Sequence, residues 1–219
     1  MKKQFIVIGL GRFGSSVART LATLGQEVLA VDNNEERVKQ LAPVVTHTAQ
    51  ADTTDADTLK SLGVRNFDVG VVAMGENLQA GILTALLLKE LGVPYVVTKV
   101  AGDLHGQVME KIGVDRVIYP EREMGKKVAY SLVSPSLLDY IELAEDYRIE
   151  EVIASESMNE KTLRELNLRN KMGISVIVIK RGEDDMVISP GAEAVVHQGD
   201  TLVIIGKNED LGRLNQLLE

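Results

Sequence analysis

The sequence predicts an α/β protein: a doubly wound parallel sheet over residues 1–134, then a small α+β domain over 135–219. Three observations carry this reading. Short Val- and Ile-rich runs alternate with helical stretches through the first 130 or so residues, the pattern of parallel strands covered on both faces. A Gly9-x-Gly11-x-x-Gly14 spacing ends the first of these runs. The charge then steps: residues 1–138 carry 15 acidic and 15 basic side chains, residues 139–219 carry 17 and 9. The whole net charge of −8 therefore falls in the second part.

The elements follow in order. Residues 4–9 (QFIVIG) read as a buried strand, and 13–24 place Val17, Leu21 and Leu24 at helical spacing before Gly25. A second strand spans 27–32, a helix 34–42, and a weaker third strand 44–52. Residues 55–63 start at a carboxylate suited to an N-cap and stop at a glycine. A fourth strand (68–75), a long apolar helix (77–91), a fifth strand (95–100), a helix (104–113), a sixth strand (115–120) and a helix (121–132) complete a doubly wound set. SPS at 134–136 reads as a hinge, because Pro135 disfavours helix in the residue before it. Beyond it, 139–143 and 147–154 alternate as half-buried strands, and 159–168 is a short helix with Asn159 as its expected cap. Residues 174–189 form two strands around a Gly-containing turn, 199–206 a strand and 208–218 a closing helix.

Composition excludes several classes. At 45% hydrophobic, 26% charged and mean hydropathy +0.03, the 219-residue chain is of ordinary globular type. It has no cysteine, hence no disulfide, thiolate metal site or cysteine nucleophile, as expected in a reducing cytoplasm. The run Phe5–Ile8 is too short for a signal-peptide core. The best apolar window, 81–88, meets Lys89 and Glu90 at once, so no membrane helix is expected. The acidic balance disfavours nucleic acid as a partner. His47, His105 and His197 are scattered, and no G-x-S-x-G elbow or P-loop lysine motif occurs. No catalytic set stands out.

The glycine motif follows a strand and opens a helix, as dinucleotide-type folds require. Gly9 permits the turn, Gly11 lets the backbone approach phosphate, and Gly14 permits close helix–strand contact. The helix start then offers free N–H groups to an anion. Asp32 ends the second strand, 18 residues beyond Gly14, where a carboxylate accepts both ribose hydroxyls and disfavours a 2′-phosphate. Together these make a Rossmann-type nucleotide site. Asp52 either reaches the base edge or, with Thr53, caps the next helix. Gly75 and Asn77, in AMGEN, either face the phosphates or serve a turn. Lys99, ending the fifth strand, either pairs with phosphate or is solvated. Glu121 is either a helix-start carboxylate or a cation ligand. Phe13, Asn33, Ala73 and Met74 complete the candidate set, since they flank these positions.

Four segments, FIVIGLGRFGSSVARTL, VLAVD, LGVRNFDVGVVAMGENLQAGILTALLLKELGVPYVVTKV and KIGVDRVIYPEREMGKKVA, resemble the cytosolic regulatory subunits of bacterial Ktr/Trk potassium-uptake systems, which are built from the RCK domain. The resemblance extends to a TrkA-C-type second lobe through 163–182. It implies dimers assembling to an octameric ring beneath a membrane potassium-translocating subunit, at the inner face of the cell membrane. It also implies ATP or ADP in each first lobe, with ring shape following the nucleotide. By motif position, Gly9, Gly11 and Gly14 line the phosphates, Asp32 the ribose and Asp52 the adenine, with Lys99 near the phosphates. Arg12 reaches the terminal phosphate of a neighbouring subunit's nucleotide, and Glu121 holds a divalent cation there. Ala51 stands where many relatives have glycine. In the second lobe the resemblance implies a cyclic di-AMP site, with Leu163, Leu168, Arg169, Asn170, Ile174 and Pro190 as candidates.

The expected function is a non-enzymatic nucleotide switch gating a potassium transporter. An NAD-dependent oxidoreductase or NAD(H) sensor is the alternative, since the glycine loop and Asp32 suit NAD(H) equally.

Overall fold

A computed structural model describes residues 2–75, 77–134, 136–182 and 185–218, the last four by backbone alone. Pro135, centre of the expected hinge, lies outside the described residues, as do Glu76 in AMGEN and residues 183 and 184 in the expected turn. Contacts divide the chain into two compact units, Met1–Glu121 and Arg122–Glu219.

The first unit is built on β1 (Gln4–Ile8), β2 (Glu27–Asp32), β3 (His47–Gln50), β4 (Val69–Val72), β5 (Tyr95–Lys99) and β6 (Arg116–Ile118). All neighbours pair in parallel, in the order β3-β2-β1-β4-β5-β6. The winding reverses between β1 and β4, where doubly wound sheets open a crevice. Strand side chains alternate between two cores. Val7, Val28 and Ala30 pack with Ala18 of α1 (Arg12–Thr23) and with Val38 and Leu41 of α2 (Glu35–Leu41). Ile6, Ile8 and Val72 pack with Leu59 of α3 (Ala56–Ser61), Leu88 of α4 (Leu78–Glu90) and Met109 of α5 (Asp103–Ile112).

One strand is shorter than expected: the third is 47–50 rather than 44–52, because only these residues pair with β2 and β3 is an edge strand. Asp55, the carboxylate expected to start the helix at 55, caps α3 by accepting the Thr58 N–H at 2.9 Å, so the alternative of an Asp52 or Thr53 cap falls away.

After α6 (Pro120–Val133), the second unit forms an antiparallel sheet from β7 (Leu137–Ala144) and β8 (Tyr147–Ile153). Beyond it come β9 (Lys161–Thr162), α7 (Leu163–Leu166), α8 (Leu168–Met172), β10 (Ser175–Arg181), β11 (Asp185–Ile188), β12 (Val195–Val196), β13 (Thr201–Lys207) and α9 (Asn208–Leu218). The sheet order is β11-β10-β13-β8-β7, and β9 pairs with β12 apart from it. Val152, Ile179, Leu202 and Ile204 line one sheet face against Leu168 of α8 and Leu211 and Leu214 of α9. That core also takes in a charge pair. Arg148 Nε donates to Glu150 Oε1 at 2.5 Å, and its guanidinium lies 5.0 Å from the Tyr130 ring centre.

The helix expected over 159–168 with an Asn159 cap is replaced by β9, α7 and α8. Thr162 caps α7 through a reciprocal capping box with Glu165. Asn159 instead accepts the Gln198 N–H. Asn167, at φ +50°, ends α7 in the left-handed region before α8 begins.

Candidate functional site

The glycine motif forms the turn from β1 into α1. Gly9 has φ +89°, and a Cβ there would lie 3.0 Å from the Ala73 carbonyl carbon. At Gly14 a Cβ would fall 1.9 Å from Gly9 O. These two glycines are required by packing alone. Gly11 differs: it adopts ordinary extended angles, and a Cβ there would meet nothing within 4 Å. Its freedom is toward open space above the helix start. α1 has no side-chain cap and no acidic residue in its first turn. Its first N–H groups and partial positive charge are left for an anion.

Asp32 closes one side of this turn. Its carboxylate is 6% exposed and accepts the Leu10 N–H at 2.6 Å and the Asn34 N–H at 2.9 Å. Arg37 Nη1 stands 3.6 Å from it. The residue expected to meet a ribose therefore also holds the glycine loop, and its remaining lone pairs stay available. Asn33 is exposed beside it, its carbonyl accepting from the Gln50 side chain.

Beyond β3, Asp52 is exposed, and its Oδ1 accepts the Thr54 N–H at 2.9 Å and hydroxyl at 2.6 Å. These bonds, the hydroxyl one foremost, hold its carboxyl below the usual carboxylate range. Thr53 points inward and is 3% exposed. Ala73 follows β4 with its N–H on the Ile8 carbonyl at 2.7 Å. Asn77 caps α4, its Oδ1 accepting the Ala80 N–H at 3.1 Å. A Cβ on Gly75 would lie 3.4 Å from Lys99 Cε, so that loop passes directly over the lysine.

Lys99 and Glu121, read separately in the sequence, are joined: Lys99 Nζ lies 2.5 Å from Glu121 Oε1. The ammonium also lies 5.9 Å from the centre of the Phe13 ring. The Lys99 hydrogen bond, aided by the charge of Arg12, holds the Glu121 carboxyl below its usual range. Arg12 is exposed, and no hydrogen bond to its guanidinium is found among the described residues. The glycine turn, Phe13, Gly75, Lys99, Glu121 and Arg12 thus gather at one end of the sheet, with Asp32 at the loop's other side. Among the described residues no three His, Asp or Glu side chains cluster as metal ligands.

In the second unit, Leu168 and Ile174 are core residues, 8% and 0% exposed, and Leu163 packs against that core. Arg169 and Asn170 are exposed on α8, with Arg169 Nε donating to the Ser175 hydroxyl. Pro190 follows β11 beyond Ser189, whose φ is +52°.

Comparison with known proteins reads the same two units. The TrkA-N domain model matches residues 5–120 and the TrkA-C domain model residues 148–219. The Ktr system potassium uptake protein C of Bacillus subtilis (strain 168) is 45% identical over 216 residues, covering 99% of this chain and 97% of that protein. The chain belongs to the Ktr/Trk family of potassium uptake proteins. The Ktr system potassium uptake protein A of the same organism is 46% identical over 211 residues, covering 96% and 95%. Among solved structures, the GsuK RCK domain superposes with a TM-score of 0.69 at 19% identity, a likeness of fold. It covers 100% of this chain, which spans 48% of that one. The doubly wound sheet and small α+β second domain expected from the sequence are thus present, the second built on an antiparallel sheet. No described helix is long and apolar enough to cross a membrane.

Proposed function

We propose that this chain is a non-enzymatic regulatory subunit that binds an adenine nucleotide at the β1/β4 crevice and gates a membrane potassium transporter by its phosphate count. Family membership supports the link to potassium uptake. The observation that carries the nucleotide reading is the open space over Gly11 at an uncapped helix start, beside Asp32 and Lys99. In this reading Gly9, Gly11 and Gly14 hold the phosphates, with Phe13, Ala73, Met74, Gly75 and Asn77 around them. Asp32 and Asn33 meet the ribose, and Asp52 and Thr53 frame the adenine. Lys99 turns from Glu121 to phosphate, freeing Glu121 to share a divalent cation with it. Arg12, exposed at the rim, reaches the terminal phosphate of a nucleotide in a neighbouring subunit.

A ring of dimers follows from that last step. Two apolar surfaces support it. Phe5, Val17, Leu21, Val71 and Val97 line a largely apolar cleft of about 680 Å³ in the first unit. Met124, Val128, Leu132 and Val133 are exposed along α6. The subunit then works in the cytoplasm against its membrane partner. A cyclic di-AMP site around α8, at Arg169 and Asn170, is part of the same proposal.

The second reading, an NAD(H) protein, suits the glycine loop and Asp32 equally, since the phosphate and ribose they meet are common to both ligands. Binding of ATP, ADP, NADH and cyclic di-AMP to the purified protein, with its solution mass in each state, separates them. The proposal expects ATP and ADP to bind and to change the assembly. NADH bound in preference, with ATP unable to displace it, replaces the switch by an NAD(H) protein.

A further inference from the structure

Two of the proposed nucleotide contacts, Thr53 and Met74, meet a buried hydroxyl that the nucleotide reading leaves unused. Thr84, in the middle of α4, is 0% exposed among Ala80, Gly81, Ala85 and Leu88. Its hydroxyl lies 3.0 Å from that of Thr53 and donates to the Thr53 carbonyl at 3.2 Å. Met74 Sδ, in the loop after β4, lies 3.8 Å from Thr84 Oγ1 and 3.9 Å from Thr53 Oγ1. The protons count out. Thr84 donates to the Thr53 carbonyl, Thr53 donates to Thr84 Oγ1, and the thioether is a spare acceptor. A valine would fill the same volume without a hydroxyl to satisfy. The polar choice at this buried position is explained by the bond to the Thr53 main chain.

Resting on the nucleotide reading above, we infer that Thr84 is a positioning residue that fixes the base-facing loop 52–54 and so sets the site's choice of purine. Just before the loop, the Ala51 N–H donates to the Asp32 carbonyl at 3.1 Å. Within the loop, the Thr54 N–H and hydroxyl donate to Asp52 Oδ1 at 2.9 and 2.6 Å. The hydroxyl that ties the loop to α4 is that of Thr84. Without it, the Thr53 carbonyl loses its Thr84 donor and the Thr53 hydroxyl keeps only the weak Met74 Sδ acceptor, so loop 52–54 shifts and Asp52 moves with it. No residue of the glycine turn makes any of these bonds, and only the weak Met74 contact leads toward it. The larger effect therefore falls on the base.

Calorimetry with ATP and GTP tests this on Thr84→Val and on the pair Thr84→Ser and Thr84→Ala. The pair differs only in the hydroxyl, so it carries the comparison if the valine variant does not fold. The expected result is ATP affinity about tenfold weaker in the valine and alanine variants, with the ATP-over-GTP preference falling by a similar factor. Thr84→Ser stays within about twofold of wild type. Equal ATP affinity in the serine and alanine variants, or equal losses for both purines, overturns the inference while leaving the nucleotide reading intact. Wild-type protein that binds neither purine overturns that reading itself, and the inference with it.

Discussion

The two units bury an apolar sheet in opposite ways, and the crevice belongs to one of them. In the first, parallel strands require helical crossovers, so both faces are covered and the polar groups gather at the strand ends. Where the winding reverses, between β1 and β4, the loops diverge and leave Gly11 under open space. In the second, antiparallel pairing fills one face with Val152, Ile179 and Leu202, while Ile141, Met186 and Ile188 stay exposed. Two of its buried charges, Arg148 and Glu150, pair with each other inside the core. In the proposed reading, charge in the first unit serves a ligand as well as the fold; the buried pair in the second serves the fold.

Glu150→Ala and Gly14→Ala separate the two units most widely. The first strands the buried Arg148 and is expected to cost about 3–5 kcal/mol. The second drives a Cβ into the Gly9 carbonyl and is expected to cost about 3 kcal/mol or more. Urea unfolding measures both. Glu150→Ala should spare nucleotide binding wherever the first unit remains folded, and Gly14→Ala should abolish it. Gly11→Ala sharpens the point. Its Cβ meets no protein atom, so Tm should hold within a degree or two while ATP affinity falls at least about tenfold. Stability and binding that fall together would place Gly11 in the packing, with Gly9 and Gly14.

The smallest effect concerns pH. His105 is buried in the first unit, and neither ring nitrogen has a hydrogen-bond partner among the described residues. Burial pushes its pKa down. The unfolded chain then takes up the proton first, so stability is full above the unfolded histidine pKa and declines as pH falls below it. Thermal unfolding between about pH 7 and 5 should show this slope, and His105→Leu should flatten it. An unchanged slope would assign the decline to other groups.

Much of the first unit was legible because its signals are local. Gly9, Gly11, Gly14 and Asp32 announce a turn, a helix start and a strand end within 24 consecutive residues. The strands of that unit are continuous apolar runs that periodicity finds. Pairings over distance were not legible. Lys99 was read as ending a strand and Glu121 as a helix-start carboxylate or cation ligand, yet nothing in their spacing announces their ion pair. Thr84 sits in an apolar helical stretch and gives no sign of its partner Thr53, 31 residues away. The second unit suffers most. β9 and β12 have two residues each and meet across a long connection, so no periodic pattern can form. Thr162 displaced Asn159 as a cap because its capping box closes with Glu165.

In the proposed switch the crevice counts phosphates, and Arg12 makes the difference. Paired calorimetric titrations of ATP and ADP, on wild-type protein and on Arg12→Ala, address it directly. A charge-assisted bond of about 1.5–3 kcal/mol predicts ATP binding at least about tenfold more tightly than ADP, with the two affinities converging in the variant. Equal affinities in the wild type, or a preference for ATP that survives Arg12→Ala, would contradict it.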